Sequence, residues 1–226
     1  MRVALYAISV IVCQQRRDLP DCYNGVVSDT NTEPRPGLRD ITRDAVRARI
    51  AAVAVARFDA DGFEHVTVEQ VAAEAGISAR SFHRYFPAKE DAVIGDPRRH
   101  RAALANAFRA RPTDEPVWTA LREAFAEMLD RGGDDPETGR RSVRVMTSTP
   151  SLRARNLEKH QAWAEVLTPL VVERIDGAGR ELRARTIVQA SLACFDVAIT
   201  TWATEAEDDV VGLLRRAFDV LDVPRT

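Results

Sequence analysis

Three observations predict an all-α fold, with a small three-helix helix-turn-helix domain followed by a larger helical domain, about nine helices in all. From Leu38 onward apolar residues recur at helical spacing, and no segment alternates as a strand would. Two short helices joined by a glycine turn lie within residues 67–87. Breakers at Pro112-Thr113-Asp114, Gly132-Gly133, Thr149-Pro150-Ser151 and Gly177-Ala178-Gly179 cut the remainder into helix-length segments.

The first helix is expected to start at Thr42, whose hydroxyl suits a cap, with Asp44 favoured by the dipole. Val46, Ile50, Val53, Ala54 and Phe58 form its apolar stripe, and Asp61-Gly62 stops it. Thr67-Val68-Glu69-Gln70 is a capping box, flanked by Val66 and Val71 at the staple positions. Gly76 supplies the left-handed turn residue, Ser78 caps the second short helix, and Pro87 closes it. A longer helix is expected from Lys89, kinked at Pro97. Five more are expected over 115–131, 135–148, 151–176, 180–205 and 208–222. Their stripes are Trp118/Leu121/Phe125/Met128/Leu129, then Leu157/Trp163/Leu167/Leu170/Val171. Two more follow, Ile187/Ala190/Cys194/Val197/Ala198/Thr201 and Val210/Val211/Leu214/Phe218/Leu221.

Composition bounds the class. The 226 residues, 45% hydrophobic and 29% charged with a net charge of -2, suffice for a sizeable core and suit neither a basic coat protein nor an acidic disordered chain. The three cysteines (Cys13, Cys22, Cys194) are odd in number and lack a Cys-x-x-Cys spacing. That argues against a disulfide scaffold or a cysteine zinc site and for a reduced, cytoplasmic protein. The apolar run 3–13 is too short to span a bilayer, and Gln14-Gln15-Arg16-Arg17 follows it with no Ala-x-Ala-like site, so neither a membrane nor secretion is expected. Residues 18–37 are rich in Pro, Gly, Asp, Asn and Thr. The expected organisation is a disordered extension over 1–37, the helix-turn-helix domain over 38–92 and the second domain over 93–226.

The second short helix carries the chemistry. Arg80, His83 and Arg84 share one face, and Phe82 and Phe86 fall on another suited to packing. Residues 78–89 hold Arg80, Arg84 and Lys89 and no carboxylate. A helix lying in a DNA major groove needs such a surface. The same spacing also fits a short helix pair in an all-α core with a solvated basic face. The stretch TVEQVAAEAGISARSFHRYFPAKEDAV resembles the DNA-binding domain of the TetR family of bacterial transcriptional regulators. The matching residues are Thr67, Val71-Ala72, Ala75-Gly76-Ile77-Ser78, Tyr85-Phe86 and Lys89-Glu90.

That resemblance implies roles for particular residues. Thr67 and Lys89 would contact phosphate, Arg43 would touch the backbone from the side, and Ala79, Arg80, Ser81 and His83 would face the groove beside Ser78, Arg84 and Tyr85. His83 stands where the family most often has tyrosine, and an imidazole can still bond a phosphate. It also implies a second domain that encloses a small, hydrophobic effector and dimerises through its last two long helices. Ligand candidates are Trp118, Phe125, Met128, Val145, Met146, Trp163, Leu167 and Phe195. Dimer candidates are Ile187, Ala190, Cys194, Val197, Ala198, Leu214, Phe218 and Leu221. Residues 140–163 (RRSVRVMTSTPSLRARNLEKHQAW) resemble sensor domains of the mycofactocin-regulator type, which implies an acyl-CoA-like ligand.

The expected function is a ligand-responsive regulator. It would be a repressor that binds a near-palindromic double-stranded operator as a homodimer and is released by its effector. An activator of the same fold, or a helical interaction module without DNA binding, are the alternatives. No enzyme is expected: there is no Gly-x-Ser-x-Gly, P-loop or Gly-x-Gly-x-x-Gly, and His65, His83, His100 and His160 lack metal-ligand spacing. No cofactor or metal is implied.

Overall fold

The computed structural model describes residues 37–95, 97–130, 135–205 and 209–222. The predicted extension up to Pro36, with Cys13 and Cys22, and the Gly132-Gly133 break lie outside the described residues. Ten α-helices are described: α1 (Leu38–Asp61), α2 (Val68–Glu74), α3 (Ala79–Tyr85), α4 (Asp91–Ile94), α5 (Pro97–Arg109), α6 (Val117–Asp130), α7 (Pro136–Ser148), α8 (Pro150–Val172), α9 (Arg180–Thr204) and α10 (Val210–Leu221). A single 3-10 turn (Phe63–His65) joins α1 to α2.

Two boundaries differ from expectation. Helix α1 begins four residues before Thr42, and the Thr42 hydroxyl donates back to the Leu38 carbonyl at 2.8 Å. A mid-helix threonine satisfies itself in this way, so a hydroxyl alone does not mark a cap. The segment after Lys89 is broken into α4 and α5 where one kinked helix was expected, which raises the helix number from nine to ten. Gly95 takes φ 81° there, a left-handed conformation that ends α4 before Pro97 opens α5.

Packing follows the stripes. Ile50, Ala54 and Phe58 of α1 meet Val71, Phe82, Phe86 and Val93 in the N-terminal part of one continuous core. Helix α1 also packs on α7, so the two halves share a wall. Asp59 of α1 faces Arg144 (3.4 Å) and Arg141 (3.7 Å) of α7, and Asp91 of α4 faces Arg155 of α8 at 3.2 Å. In the C-terminal half α5 packs on α6 and α8, α8 on α9, and α10 on α9 and α6.

The α8 stripe is not the expected one. Leu157 is exposed, and the buried face runs Leu152, Asn156, Lys159, Trp163, Leu167, Val171. Steps of three and four residues hold one face, whereas the six-residue step from 157 to 163 turns away from it.

Candidate nucleic-acid interface and sensor interior

Helices α2 and α3 are set by local signals. The Gln70 amide donates to Thr67 Oγ1 (3.3 Å), and the Thr67 amide donates to Gln70 Oε1 (2.8 Å). Ile77 N–H donates to the Ala72 carbonyl (2.9 Å) across the turn that Gly76 makes at φ 73°. Ser78 Oγ accepts from the Ser81 amide at 3.1 Å and starts α3. Phe82 and Phe86 are fully buried with rings 5.3 Å apart, which fixes the roll of α3. That roll leaves Arg80, His83 and Arg84 exposed together on the opposite side. Thr67 is also exposed; its oxygen caps α2, and its hydroxyl proton is free to donate outward.

The N-terminus of α1 lies beside α3. A groove of about 450 Å³ is lined by Leu38, Arg39, Thr42, Arg43, Arg84 and Tyr85. Arg43 and Arg84, foreseen separately, thus converge, and Arg39 joins them as a cation that sequence reasoning missed. Its signal was the extension of α1 back to Leu38.

Lys89 is placed differently from a free phosphate hook. Its ammonium donates to the Phe63 (2.7 Å) and Val66 (3.0 Å) carbonyls and sits 4.1 Å from the Phe63 ring centre. Two of its three protons therefore bind the α1–α2 connection, and one remains.

In the C-terminal half the structure gathers most of the ligand candidates. Phe125, Trp163 and Phe195 are fully buried, with ring centres 5.1 to 6.2 Å apart. Met128, Val145, Met146 and Leu167 are buried in the same core. Trp118 does another job: its indole N–H donates to the Phe218 carbonyl (3.2 Å), and its ring lies 4.6 Å from that of Phe218, pinning α6 to α10.

A polar group beside the aromatic cluster was not foreseen. Asn156, Lys159, His160 and Trp163 are buried along one face of α8. Lys159 Nζ lies 5.0 Å from the Trp163 ring centre. Burial pushes the Lys159 ammonium down to about 8, although Asp196 pulls it up. Burial, with Lys159 nearby, pushes His160 down to about 3, so its imidazole is neutral at physiological pH. His160 Nδ1 lies 3.4 Å from Asp196 Oδ2 as a neutral contact and not an ion pair. Asp196 itself is raised by burial against the pull of Lys159. The available signal was a lysine at a core position of the α8 stripe.

Four of the eight dimer candidates are covered within the chain itself. Cys194, Ala198, Leu214 and Phe218 are buried inside the single chain, where Cys194 donates to the Ala217 carbonyl at 3.4 Å. Their stripe is the one that joins α9 to α10, because a helix between two neighbours presents its most apolar side inward. Ile187 and Ala190 are half-buried, and Val197 and Leu221 are exposed.

Residues 50–93 match the family described as "Bacterial regulatory proteins, tetR family", and residues 115–225 match the MftR C-terminal domain. The chain belongs to the TetR family. Its N-terminal part is that family's helix-turn-helix DNA-binding domain, and its relatives are regulators and not enzymes. MftR of Mycobacterium tuberculosis is 28% identical over 189 residues, spanning 84% of this chain and 94% of MftR. TcmR of Streptomyces glaucescens, an HTH-type transcriptional regulator, is 28% identical over 194 residues, spanning 82% of this chain and 85% of TcmR. Among solved TetR-type structures, a regulator from Aquifex aeolicus superposes with a TM-score of 0.53 at 16% identity, covering 78% of this chain and 97% of that one. FadR of Bacillus subtilis, solved with stearoyl-CoA, superposes with a TM-score of 0.52 at 19% identity, covering 76% of this chain and 96% of that one. These two establish the shared fold.

Proposed function

We propose that this TetR-family protein is a cytoplasmic, homodimeric repressor that leaves its operator when a small hydrophobic effector enters the C-terminal half. The observation that carries the reading is the exposed, acid-free face of α3 beside the Arg39/Arg43/Arg84 groove. Arg80 is the base reader, suited to a bidentate contact with guanine. Ser78, Ala79, Ser81 and His83 line the groove around it, and Thr67, Arg43, Arg84 and Tyr85 hold the backbone. Lys89 offers its one remaining proton to phosphate and otherwise holds the fold.

The dimer face is the outer side of α9. Leu182 (71% exposed), Ala193 and Val197 (57% exposed) share that side at spacings of eleven and four residues, and Leu157 of α8 is exposed as well. The effector site is the Phe125/Trp163/Phe195 interior with Met128, Val145, Met146 and Leu167. The long acyl chain bound by Bacillus subtilis FadR supports an apolar ligand for this shared fold. Coupling of about 1–3 kcal/mol between the sites gives roughly a 5- to 150-fold loss of operator affinity, enough for derepression.

Selection of bound fragments from genomic DNA with the purified protein tests the reading. A near-palindromic site bound by two chains is the expected result. Recovery of no palindromic site, or binding by single chains, overturns it.

A further inference from the structure

One face of α8 bears four buried side chains, each with a polar atom that has no hydrogen-bond partner: Asn156 Oδ1, Lys159 Nζ, His160 Nε2 and Trp163 Nε1. They fall at i, i+3, i+4 and i+7, so they point the same way. Ser142 Oγ of α7 is also buried and unpartnered. Buried polar atoms are nearly always paired, because an unmade hydrogen bond is costly and an unpaired ammonium far more so. A leucine or methionine would fill position 159 without that cost. No carboxylate lies within ion-pair distance of Lys159 Nζ among the described residues; Asp196 pulls on it only through space.

The donors identify the missing partner. Lys159 supplies a full positive charge and Trp163 an N–H, which together recognise an anionic oxygen. The Trp163 ring beneath Lys159 packs on Phe125 and Phe195, and these rings recognise hydrocarbon. We infer that Lys159, with the Trp163 indole N–H, binds the carboxylate of an apolar carboxylic-acid effector inside the C-terminal half. The inference rests on the effector reading above and narrows its ligand class. An uncharged thioester or ester carbonyl would leave the ammonium uncompensated.

The link to DNA runs along the same helix. Arg155 lies four residues before Lys159, and its guanidinium donates to Asp91 Oδ1 at 3.2 Å. Asp91 Oδ2 in turn accepts from the Ala88 amide at 3.0 Å, in the turn that follows α3. A carboxylate drawn to Lys159 shifts α8, and with it the seat of the recognition helix.

The test titrates full-length protein, free and on its selected operator, with dodecanoate, methyl dodecanoate and dodecanoyl-CoA. Wild type is compared with Lys159→Met and Trp163→Phe, and binding is read by calorimetry and operator release by anisotropy. The expected result is tight binding of dodecanoate, at least tenfold weaker in Lys159→Met and several-fold weaker in Trp163→Phe, with the methyl ester bound alike by all three. Equal dodecanoate affinity in wild type and Lys159→Met overturns the inference, as does preference for the ester. If dodecanoyl-CoA alone binds and releases DNA, the carboxylate inference fails while the effector reading stands. If none of the three binds wild type, the inference is also overturned, and the operator selection judges the repressor reading independently.

Discussion

Replacing Lys159 by methionine should stabilise the ligand-free protein at neutral pH, against the usual direction for a core substitution. The ammonium is fully buried and held at about 8, against an ordinary value of 10.5. At about 1.4 kcal/mol per unit, its burial as a cation disfavours the folded state by on the order of 3 kcal/mol. The folded chain binds this proton less tightly than the unfolded chain does. Wild-type stability should therefore rise with pH from about 8 to 10.5 and carry the full penalty below 8. Methionine keeps the volume and has no such slope. That penalty already contains the attraction of Asp196 for the ammonium. The net gain at pH 7 is therefore about 3 kcal/mol, within what apolar replacement of buried charges delivers. Urea unfolding at fixed protein concentration reads it as a higher midpoint at unchanged slope, and the gap should narrow to about 1 kcal/mol at pH 10. A variant no more stable than wild type at pH 7, or a gap indifferent to pH, would refute the reasoning.

Arg80→Ala should remove about 1–3 kcal/mol of discrimination at one base pair, whereas Arg84→Ala should weaken all sequences alike and lower the salt slope by about one. Binding titrations on the operator and on single-base variants from 50 to 200 mM salt separate the two; a uniform loss from Arg80→Ala would demote it to a backbone contact. Lys89→Met should cost about 2–6 kcal/mol of stability by freeing the Phe63 and Val66 carbonyls, since each acceptor left unsatisfied costs about 1–3 kcal/mol. Chemical unfolding checks this, and an unchanged midpoint with weakened operator binding would return Lys89 to a purely phosphate role.

The helix-turn-helix was legible because its signals are local. A capping box, one glycine at positive φ and a serine cap each act within a few residues, and the structure repeats them bond for bond. Long-range partners were not legible. Nothing near Lys89 in sequence announces that its ammonium reaches carbonyls 23 and 26 residues earlier. Four residues of the expected dimer stripe are buried within the chain for a related reason. Periodicity finds the apolar side of α9 but not what covers it; Cys194 is bonded to α10 of the same chain, and Ala198 is buried within it. On α8 the expected stripe holds apolar residues alone, so it includes the exposed Leu157 and omits the buried Asn156 and Lys159.

The polar residues on the inner face of α8 bear on how the protein works. A helix with a strictly apolar inner face has only one thing to do with it, which is to pack. The inner face of α8 alternates between packing residues (Leu152, Leu167, Val171) and polar ones that each keep an unpartnered atom (Asn156 Oδ1, Lys159 Nζ, His160 Nε2), so it is stable in contact with the core yet incomplete. Its outward Arg155 holds the turn after α3 through Asp91. A site that is incomplete when empty gives a ligand what a switch requires, a large difference in binding free energy between two states. An interior optimised for stability alone would have no such difference to transmit. The destabilising lysine and the responsiveness of the regulator then have the same physical origin.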